Sequence, residues 1–203
     1  MEIIWLGHAC FALESGDYRV VLDPYALEHY PVLHTQGDLV LCSHGHFDHN
    51  HTQAVVLRQG RECPFTVERV ETFHDDAQGN LRGKNTMHVL RAEGLTVVHA
   101  GDLGHFPDTA QLAAIRGCDA LLLPVGGYYT IDAQTAKRVA DAALARVVVP
   151  MHYRHGAYGL REVAAVEEFL RLYDPSQVRT LPDNRFTLTA DTPCGVVVPR
   201  FVP

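Results

Sequence analysis

The sequence contains no apolar run long enough to cross a bilayer, no excess of basic residues and no Cys-x-x-Cys pair. A membrane-spanning helix needs about 20 mostly apolar residues, so we expect no membrane association. The net charge of −7 argues against dedicated nucleic-acid binding, although a phosphate-bearing substrate stays open. Five scattered cysteines and an N-terminus without a basic leader predict free thiols and a cytoplasmic location.

Length and composition limit the architecture. The chain has 203 residues, of which 47% are hydrophobic and 20% are charged, as in ordinary globular proteins. No internal repeat or low-complexity segment divides it. We therefore expect one domain, residues 1–203, around a single core.

The most informative segment is the run Ser43-His44-Gly45-His46-Phe47-Asp48-His49, which follows an apolar stretch. Imidazole nitrogens and carboxylate oxygens are the usual ligands of zinc and of similar divalent metals. Alternate side chains of an extended segment share a face, so His44 and His46 can bind one ion. If the chain then turns, Asp48 and His49 can reach a second ion beside it.

The first half of the chain is predicted to be rich in strands, because apolar residues alternate there between turn residues. The predicted strands are Glu2–Leu6, Cys10–Glu14, Tyr18–Leu22, Asp38–Cys42, Phe65–Phe73, Thr86–Arg91 and Leu95–Ala100. A short helix is predicted over Thr52–Gln59, just after the histidine run.

The second half mixes strands with helices. Helical apolar spacing predicts helices over Pro107–Arg116, Asp132–Leu144 and Leu160–Tyr173, the last of them amphipathic. The predicted strands are Asp119–Val125, Arg146–Pro150, Val178–Leu188 and Val196–Val198. This order indicates an α+β domain in which helices pack on the outer faces of sheets, in layers.

Further ligand-type residues follow predicted strands at their ends, namely His74, Asp102 and His152. A sheet fixes where a loop begins, so side chains at strand ends often form sites. A two-metal site needs about six protein ligands and a bridging water. The available set is His44, His46, His74, Asp48, His49, His152 and Asp102, in which one carboxylate is left to bridge.

Other histidines compete for these roles. His88 and His99 are rivals of His74 as a ligand, but both lie inside predicted strands, whereas His74 ends one. Alternation directs His99 away from Asp102, so we interpret it as a core residue. His8 follows a glycine at a strand end, where a structural role and a role beside the ligands or the substrate are both open.

Loop residues beside the predicted site are less specific. Asp23 ends a strand and is interpreted as a partner that orients a ligand histidine. His105, Tyr128, Tyr129 and Arg154 follow predicted strands and could line a cleft, although a solvated loop position is the alternative for each.

The histidine run resembles the signature of the metallo-β-lactamase superfamily, and His74, Gly101-Asp102 and His152 follow it in that family's order. The chain is also similar to the small bacterial branch of metal-dependent hydrolases related to ascorbate-phosphate lactonase-like proteins. The segments that carry this likeness are Leu6-Gly7-His8-Ala9, Asp23-Pro24, His99-Ala100-Gly101-Asp102, Pro124-Val125-Gly126-Gly127 with the following Thr130, and Pro150-Met151-His152-Tyr153.

The resemblance implies a single-domain, four-layer αββα sandwich with two metals at one edge of its sheets. It implies a first metal held by His44, His46 and His74, a second held by Asp48, His49 and His152, and Asp102 as the bridge. It also implies a part for Asp48 in proton transfer. Relatives with a carboxylate at the position of His46 tend to be redox proteins, so a histidine there favours hydrolysis.

These observations predict a binuclear metal-dependent hydrolase whose metal-bridging hydroxide attacks an ester, lactone or phosphodiester of a small molecule. The histidine-rich ligand set favours zinc, and manganese or iron would accept similar ligands. The alternatives are an iron-dependent redox or oxygenase protein on the same scaffold and a non-catalytic metal-binding protein. Apolar side chains between Asp23 and Gly37 could cover a cleft or a contact in a homo-oligomer.

Overall fold

The computed structural model describes residues 1–203, which form fourteen strands and three α-helices. The helices are α1 (Thr109–Ile115), α2 (Ala133–Ala143) and α3 (Glu167–Leu170). The strands are β1 (Glu2–Gly7), β2 (Cys10–Ser15), β3 (Tyr18–Leu22), β4 (Thr35–Gly37), β5 (Leu39–Leu41), β6 (Val55–Leu57), β7 (Thr66–Phe73), β8 (Lys84–Ala92), β9 (Leu95–His99), β10 (Ala120–Pro124), β11 (Val147–Met151), β12 (Val178–Thr180), β13 (Arg185–Thr187) and β14 (Gly195–Val198).

Two sheets make up most of the structure. One has five strands in the order β13-β1-β2-β3-β5, and the other has seven in the order β12-β14-β11-β10-β9-β8-β7. In the first sheet β1 and β3 both run antiparallel to β2, and β5 is parallel to β3. In the second, β7 and β9 both run antiparallel to β8, and β9, β10 and β11 are parallel. The carboxyl ends of β1, β3 and β5 therefore share one edge, as do those of β7, β9 and β11.

The two sheets enclose the main core between them. Alternation along β3 shows how the layers are separated: Val20 and Leu22 belong to the main core, whereas Val21 faces a second, smaller cluster. Helices α1 and α2 cover the seven-stranded sheet. The smaller cluster includes Tyr25 and Tyr30, so the outer cover of the five-stranded sheet is an aromatic loop beside the short β4–β6 pair. The prediction of a single-domain α+β sandwich is confirmed.

The predicted helix over Thr52–Gln59 is wrong. Only Thr52–Ala54 forms a 3₁₀ turn, and the chain then continues as β6, parallel to β4. Val55 and Val56 are β-branched, which favours the extended conformation that the neighbouring strand stabilises. The sequence prediction also missed β4, which is only three residues long.

Most of the predicted helix Leu160–Tyr173 is also absent, since only α3 has α-helical structure there. Val163 and Phe169 are buried as the apolar spacing predicted. The backbone of Ala164, however, bonds outside its own segment: its N–H donates to the Gly126 carbonyl at 2.8 Å, and its carbonyl accepts from Arg154 N at 3.0 Å. These tertiary hydrogen bonds replace the helical ones.

The predicted strand Val178–Leu188 is two strands in different sheets. β12 pairs with β14 in the seven-stranded sheet, and β13 pairs with β1 in the five-stranded sheet. Pro182 lies between them and cannot donate to a ladder, and Asp183-Asn184 is a typical turn pair. The segment therefore crosses from one sheet to the other.

None of the helices is long and apolar enough to cross a bilayer.

Candidate metal centre

The ligand candidates come from strands whose carboxyl ends lie at one edge of the sandwich. His8 and Asp23 follow β1 and β3, and the histidine run follows β5. His74, Asp102 and His152 follow β7, β9 and β11 in the other sheet. Strand direction therefore brings residues from distant parts of the chain to one place.

Asp102 lies at the centre of this cluster. Its Oδ2 atom is 3.1 Å from His74 Nε2, 3.2 Å from His49 Nε2 and 3.3 Å from His152 Nε2. Its Oδ1 atom is buried and has no hydrogen-bond partner. Asn85 positions the residue, because its Oδ1 accepts the Asp102 backbone N–H at 2.9 Å. One carboxylate thus faces histidines contributed by both sheets.

Three groups of potential ligand atoms lie at or around Asp102, each with its atoms within 4.8 Å of one another, and one of them, His44, His49 and Asp102, links the other two. The other two groups correspond to the residues predicted to bind the first metal and to those predicted to bind the second, and His8 joins the second group. The first group consists of His44, His46 and His74, and the second of His8, Asp48, His49 and His152.

Asp23 and Ser43 orient two of the histidines. Asp23 is fully buried, and its Oδ2 accepts from His49 Nδ1 at 2.8 Å and from Ser43 Oγ at 2.6 Å. Because Ser43 Oγ donates to Asp23, it accepts from His44 Nδ1, which lies 2.9 Å away. Both histidines therefore direct their Nε2 atoms towards the cluster.

These histidine nitrogens fit a metal ion. His49 donates its Nδ1 proton to Asp23, and loss of its second ring proton would leave a lone pair at Nε2, 3.2 Å from a carboxylate oxygen. A cation between such atoms satisfies both of them. Buried nitrogens without a hydrogen-bond partner recur around the site, at His8 Nε2, His44 Nε2, His49 Nε2, His74 Nδ1 and both ring nitrogens of His152.

The electrostatics of the site favour positive charge between its carboxylates. Burial raises the pKa of Asp102, but His152 and His49 outweigh it and hold that pKa well below its usual range. Burial lowers the pKa of His49, yet Asp102 and Asp23 raise it well above normal. For His44, burial and the neighbouring His49 lower the pKa to about 3. Asp102 is thus ionised and His44 neutral, the forms in which these residues bind metals, whereas the raised pKa of His49 means that it would release a proton on binding one.

Gly104 allows the loop after β9 to pass directly against the ligand candidate His74. Its N–H donates to the Phe73 carbonyl at 2.9 Å. A Cβ at this position would lie 2.2 Å from both Asp75 N and the carbonyl carbon of His74. Gly126 makes a similar approach, since a Cβ there would lie 2.2 Å from the His152 carbonyl oxygen. Because these glycines have no side chain, their loops can pack directly against the backbones of the ligand candidates His74 and His152.

The substitution Gly104→Ala is expected to displace His74 and to weaken metal binding. Overpacking of this kind costs about 1–3 kcal/mol, and a backbone clash cannot be relieved by a side-chain rotation. Metal affinity by chelator competition and the melting temperature would both fall. Gly45→Ala is the control, because a Cβ at Gly45 meets nothing within 4 Å although the residue lies between two ligands. Equal behaviour of the two variants would contradict the prediction.

The cluster opens into a cleft of about 360 Å³, a size typical of small-molecule sites. Tyr129 lines it, as the sequence suggested. His105, Tyr128 and Arg154 do not: His105 accepts the Phe73 N–H, Tyr128 faces solvent, and Arg154 bonds to the Val163 carbonyl. The lining residues are His46, Phe47, Asp48, His74, Arg82, Asp102, Tyr129, His152 and Leu160.

Sequence reasoning did not single out Arg82, Asp75 or Asn85, although Arg82 and Asn85 lie in residues 78–85, a predicted loop that was expected to help select the substrate. His99, interpreted as a core residue, is fully buried and lies 2.8 Å from the Ala9 carbonyl through Nε2. A signal for the missed residues did exist. Asp75 directly follows the ligand candidate His74, and Arg82 lies in the polar loop that begins there. The sequence around these two residues, however, does not distinguish them from residues of a solvated turn.

A histidine and aspartate cluster at one edge of two stacked sheets is the arrangement of the metallo-β-lactamase superfamily. The family profile described as "Beta-lactamase superfamily domain" matches residues 2–152. A solved structure from Thermotoga maritima, described as a member of this superfamily for which zinc-dependent hydrolysis was suggested, is 36% identical. The similarity covers 97% of each chain with a TM-score of 0.77.

Two curated relatives narrow the family. The UPF0173 metal-dependent hydrolase of Methanosphaerula palustris is 31% identical over 216 residues, covering 91% of this chain and 98% of the relative. That of Methanoregula boonei is 32% identical over 185 residues, covering 75% and 82%. The chain therefore belongs to the metallo-β-lactamase superfamily and, within it, to the UPF0173 metal-dependent hydrolases. The predictions of superfamily and of enzyme class are confirmed.

Proposed function

We propose that the protein is a binuclear zinc hydrolase that cleaves an ester, lactone or phosphodiester of a small molecule. The observation that carries this proposal is the position of Asp102: one of its carboxylate oxygens, Oδ2, lies within 3.3 Å of three imidazole nitrogens. A carboxylate between two groups of histidines suits a bridge between two cations. Nitrogen-rich ligand sets favour zinc among the divalent metals that such a site could take.

The residues divide into two binding groups. His44, His46 and His74 would hold the first ion, and Asp48, His49 and His152 the second, with Asp102 shared. When bound, divalent ions of this kind lower the pKa of water towards neutrality and act as Lewis acids on a carbonyl or phosphoryl oxygen. Asp23 and Ser43 would keep His49 and His44 in the orientation that binding requires.

Asp48 is the residue best suited to move a proton in the cleft. It is half-buried, lines the cleft and lies 3.4 Å from His8 Nε2 through its Oδ2. Burial raises the pKa of Asp48, but the neighbouring His8 ring and the charge of His49 hold it well below its usual range. Burial lowers the pKa of His8 to about 4, so His8 is neutral near pH 7 and has one proton to donate. His8 would thus orient Asp48.

The size of the cleft supports a small-molecule enzyme. The cleft volume suits a metabolite-sized ligand and is too small for a folded partner. All five cysteines are free, which supports our placing the protein in the reducing cytoplasm.

Metal removal tests the proposal directly. Protein purified without added metal should contain about two zinc ions per chain by mass spectrometry. It should also hydrolyse at least one member of a panel of esters, lactones and phosphodiesters. Chelation should abolish this turnover, and zinc should restore it, because the ions supply the Lewis acid and the acidic water.

Two outcomes would contradict it. Near-stoichiometric iron together with oxygen uptake would favour a redox protein on the same scaffold. Full metal occupancy with no turnover across the panel would favour a non-catalytic metal-binding protein.

A further inference from the structure

The loop between β7 and β8 is built around one buried carboxylate. Asp75 Oδ1 accepts the backbone N–H groups of Ala77 and Gly79 at 2.9 and 2.8 Å. Asp75 Oδ2 accepts those of Leu81 and Arg82 at 3.0 and 2.7 Å. A charged acceptor with four backbone donors fixes the loop more firmly than neutral turn contacts would. The backbone of Arg82 is therefore held in place beside the ligand His74.

The side chain of Arg82 is also positioned, but without a charged partner. Its Nη2 donates to the Tyr128 carbonyl at 3.2 Å, and its Cζ lies 5.8 Å from the ring centre of Tyr129. No carboxylate of the chain forms an ion pair with it, although it is half-buried. A guanidinium has several N–H donors in a planar fork, and only one of them is used here.

Arg82 is the one lysine or arginine that lines the cleft of the metal cluster. The other lining residues are metal-ligand candidates or the apolar and aromatic side chains of Phe47, Tyr129 and Leu160. A fixed, unpaired guanidinium beside an apolar wall is typical of a site that binds the anionic group of a small ligand.

We propose that Arg82 binds a carboxylate or phosphate group of the substrate, whose apolar part lies against Phe47 and Leu160. The substrate is then an anionic small molecule whose charged group is separate from the bond that is cleaved. This inference takes the bound molecule to be a substrate and in that respect rests on the proposed hydrolase function. Anion binding at the site can nevertheless be measured without turnover.

The test measures binding of three non-hydrolysable probes to the zinc-loaded protein by calorimetry at fixed ionic strength. The probes are phenylphosphonate, phenylacetate and the neutral 2-phenylacetamide. We expect Arg82→Gln to weaken binding of one or both anions by about tenfold or more, the scale of a charge-assisted bidentate contact. Binding of the neutral amide should not change. A larger loss for phenylphosphonate assigns a phosphate group to the substrate, and a larger loss for phenylacetate assigns a carboxylate.

Arg138→Gln is the matched control. Arg138 also lies over an aromatic ring, 4.9 Å from the centre of Phe106, but it does not line the cleft. Its removal deletes the same charge and should leave all three affinities unchanged. Arg82→Lys keeps the charge without the planar fork and should lose part of the anion affinity. It also supplies the comparison if Arg82→Gln does not fold.

Equal anion binding by wild type and the Arg82 variants would overturn the inference, and so would a wild type that binds neither anion. A silent hydrolysis panel with an intact Arg82 effect would instead overturn only the proposed hydrolase function. The two proposals therefore fail separately.

Discussion

Replacing Asp102 with alanine is expected to lower kcat/KM by at least ~100-fold, the effect that loss of a mere orienting partner of a metal ligand can reach. Loss of Asp102 should lower kcat/KM further than loss of such a partner, because its Oδ2 approaches histidines of both predicted metal-binding groups. The variant would also bind less metal, with the second ion lost first. That group contains His49 and His152, and both of them face the Asp102 oxygen.

The measurement pairs metal content with turnover. Wild type and Asp102→Ala are loaded with zinc, desalted and analysed for metal, and hydrolysis is then followed at saturating and limiting substrate. Asp191→Ala is the control, because Asp191 is exposed and lines no part of the cleft. Circular dichroism confirms that the variant folds. Near-normal turnover with two zinc ions still bound would refute the bridging role.

Much of this centre could be predicted because its information is local. The spacing His-x-His-x-Asp-His is confined to one loop, and His74, Asp102 and His152 each follow a strand that alternating or continuous apolar residues mark in the sequence. The direction of the strands explains how these residues come together. Parallel strands end at the same edge, so residues at their carboxyl ends meet whatever their distance along the chain.

What could not be predicted depends on tertiary contacts. The residues from Val163 to Val166 have helical apolar spacing, yet the backbone of Ala164 bonds to loops that are distant in sequence. Asp75 and Arg82 look like ordinary turn residues until the fold places the loop beside the candidate metal centre. Pairing of β12 and β13 with different sheets likewise depends on which strand edges remain open, and a single segment does not reveal that.

Replacing Asp23 with alanine is the second large effect we expect. Asp23 is fully buried and accepts three hydrogen bonds, from the Ser43 N–H, Ser43 Oγ and His49 Nδ1, at 2.6 to 2.8 Å. Each buried donor left without a partner costs about 1–3 kcal/mol, so the free energy of unfolding should fall by at least ~3 kcal/mol. His49 would also lose the contact that fixes its ring, and affinity for the second metal should fall about 10- to 100-fold.

Asp23→Asn separates the structural role from the metal-directing role. Its amide oxygen can still accept from the Ser43 N–H, so more of the stability should be retained than in Asp23→Ala. Its NH₂ group, however, would face His49 Nδ1, which must then act as the acceptor. The proton of a neutral His49 would move to Nε2, the atom that faces Asp102, and would compete there with the metal.

The expected pattern is therefore a variant that melts closer to wild type but binds its second zinc as poorly as Asp23→Ala does. Chemical denaturation gives the stability, and competition with a zinc indicator gives the two affinities. Asp38→Asn is the control, since the buried Asp38 carboxylate accepts from the Arg19 N–H and pairs with Arg58 outside the site. It should lose stability without losing zinc. If Asp23→Asn instead bound two zinc ions with wild-type affinity, the carboxylate would not set the tautomer of His49, and Asp23 would be only a structural acceptor.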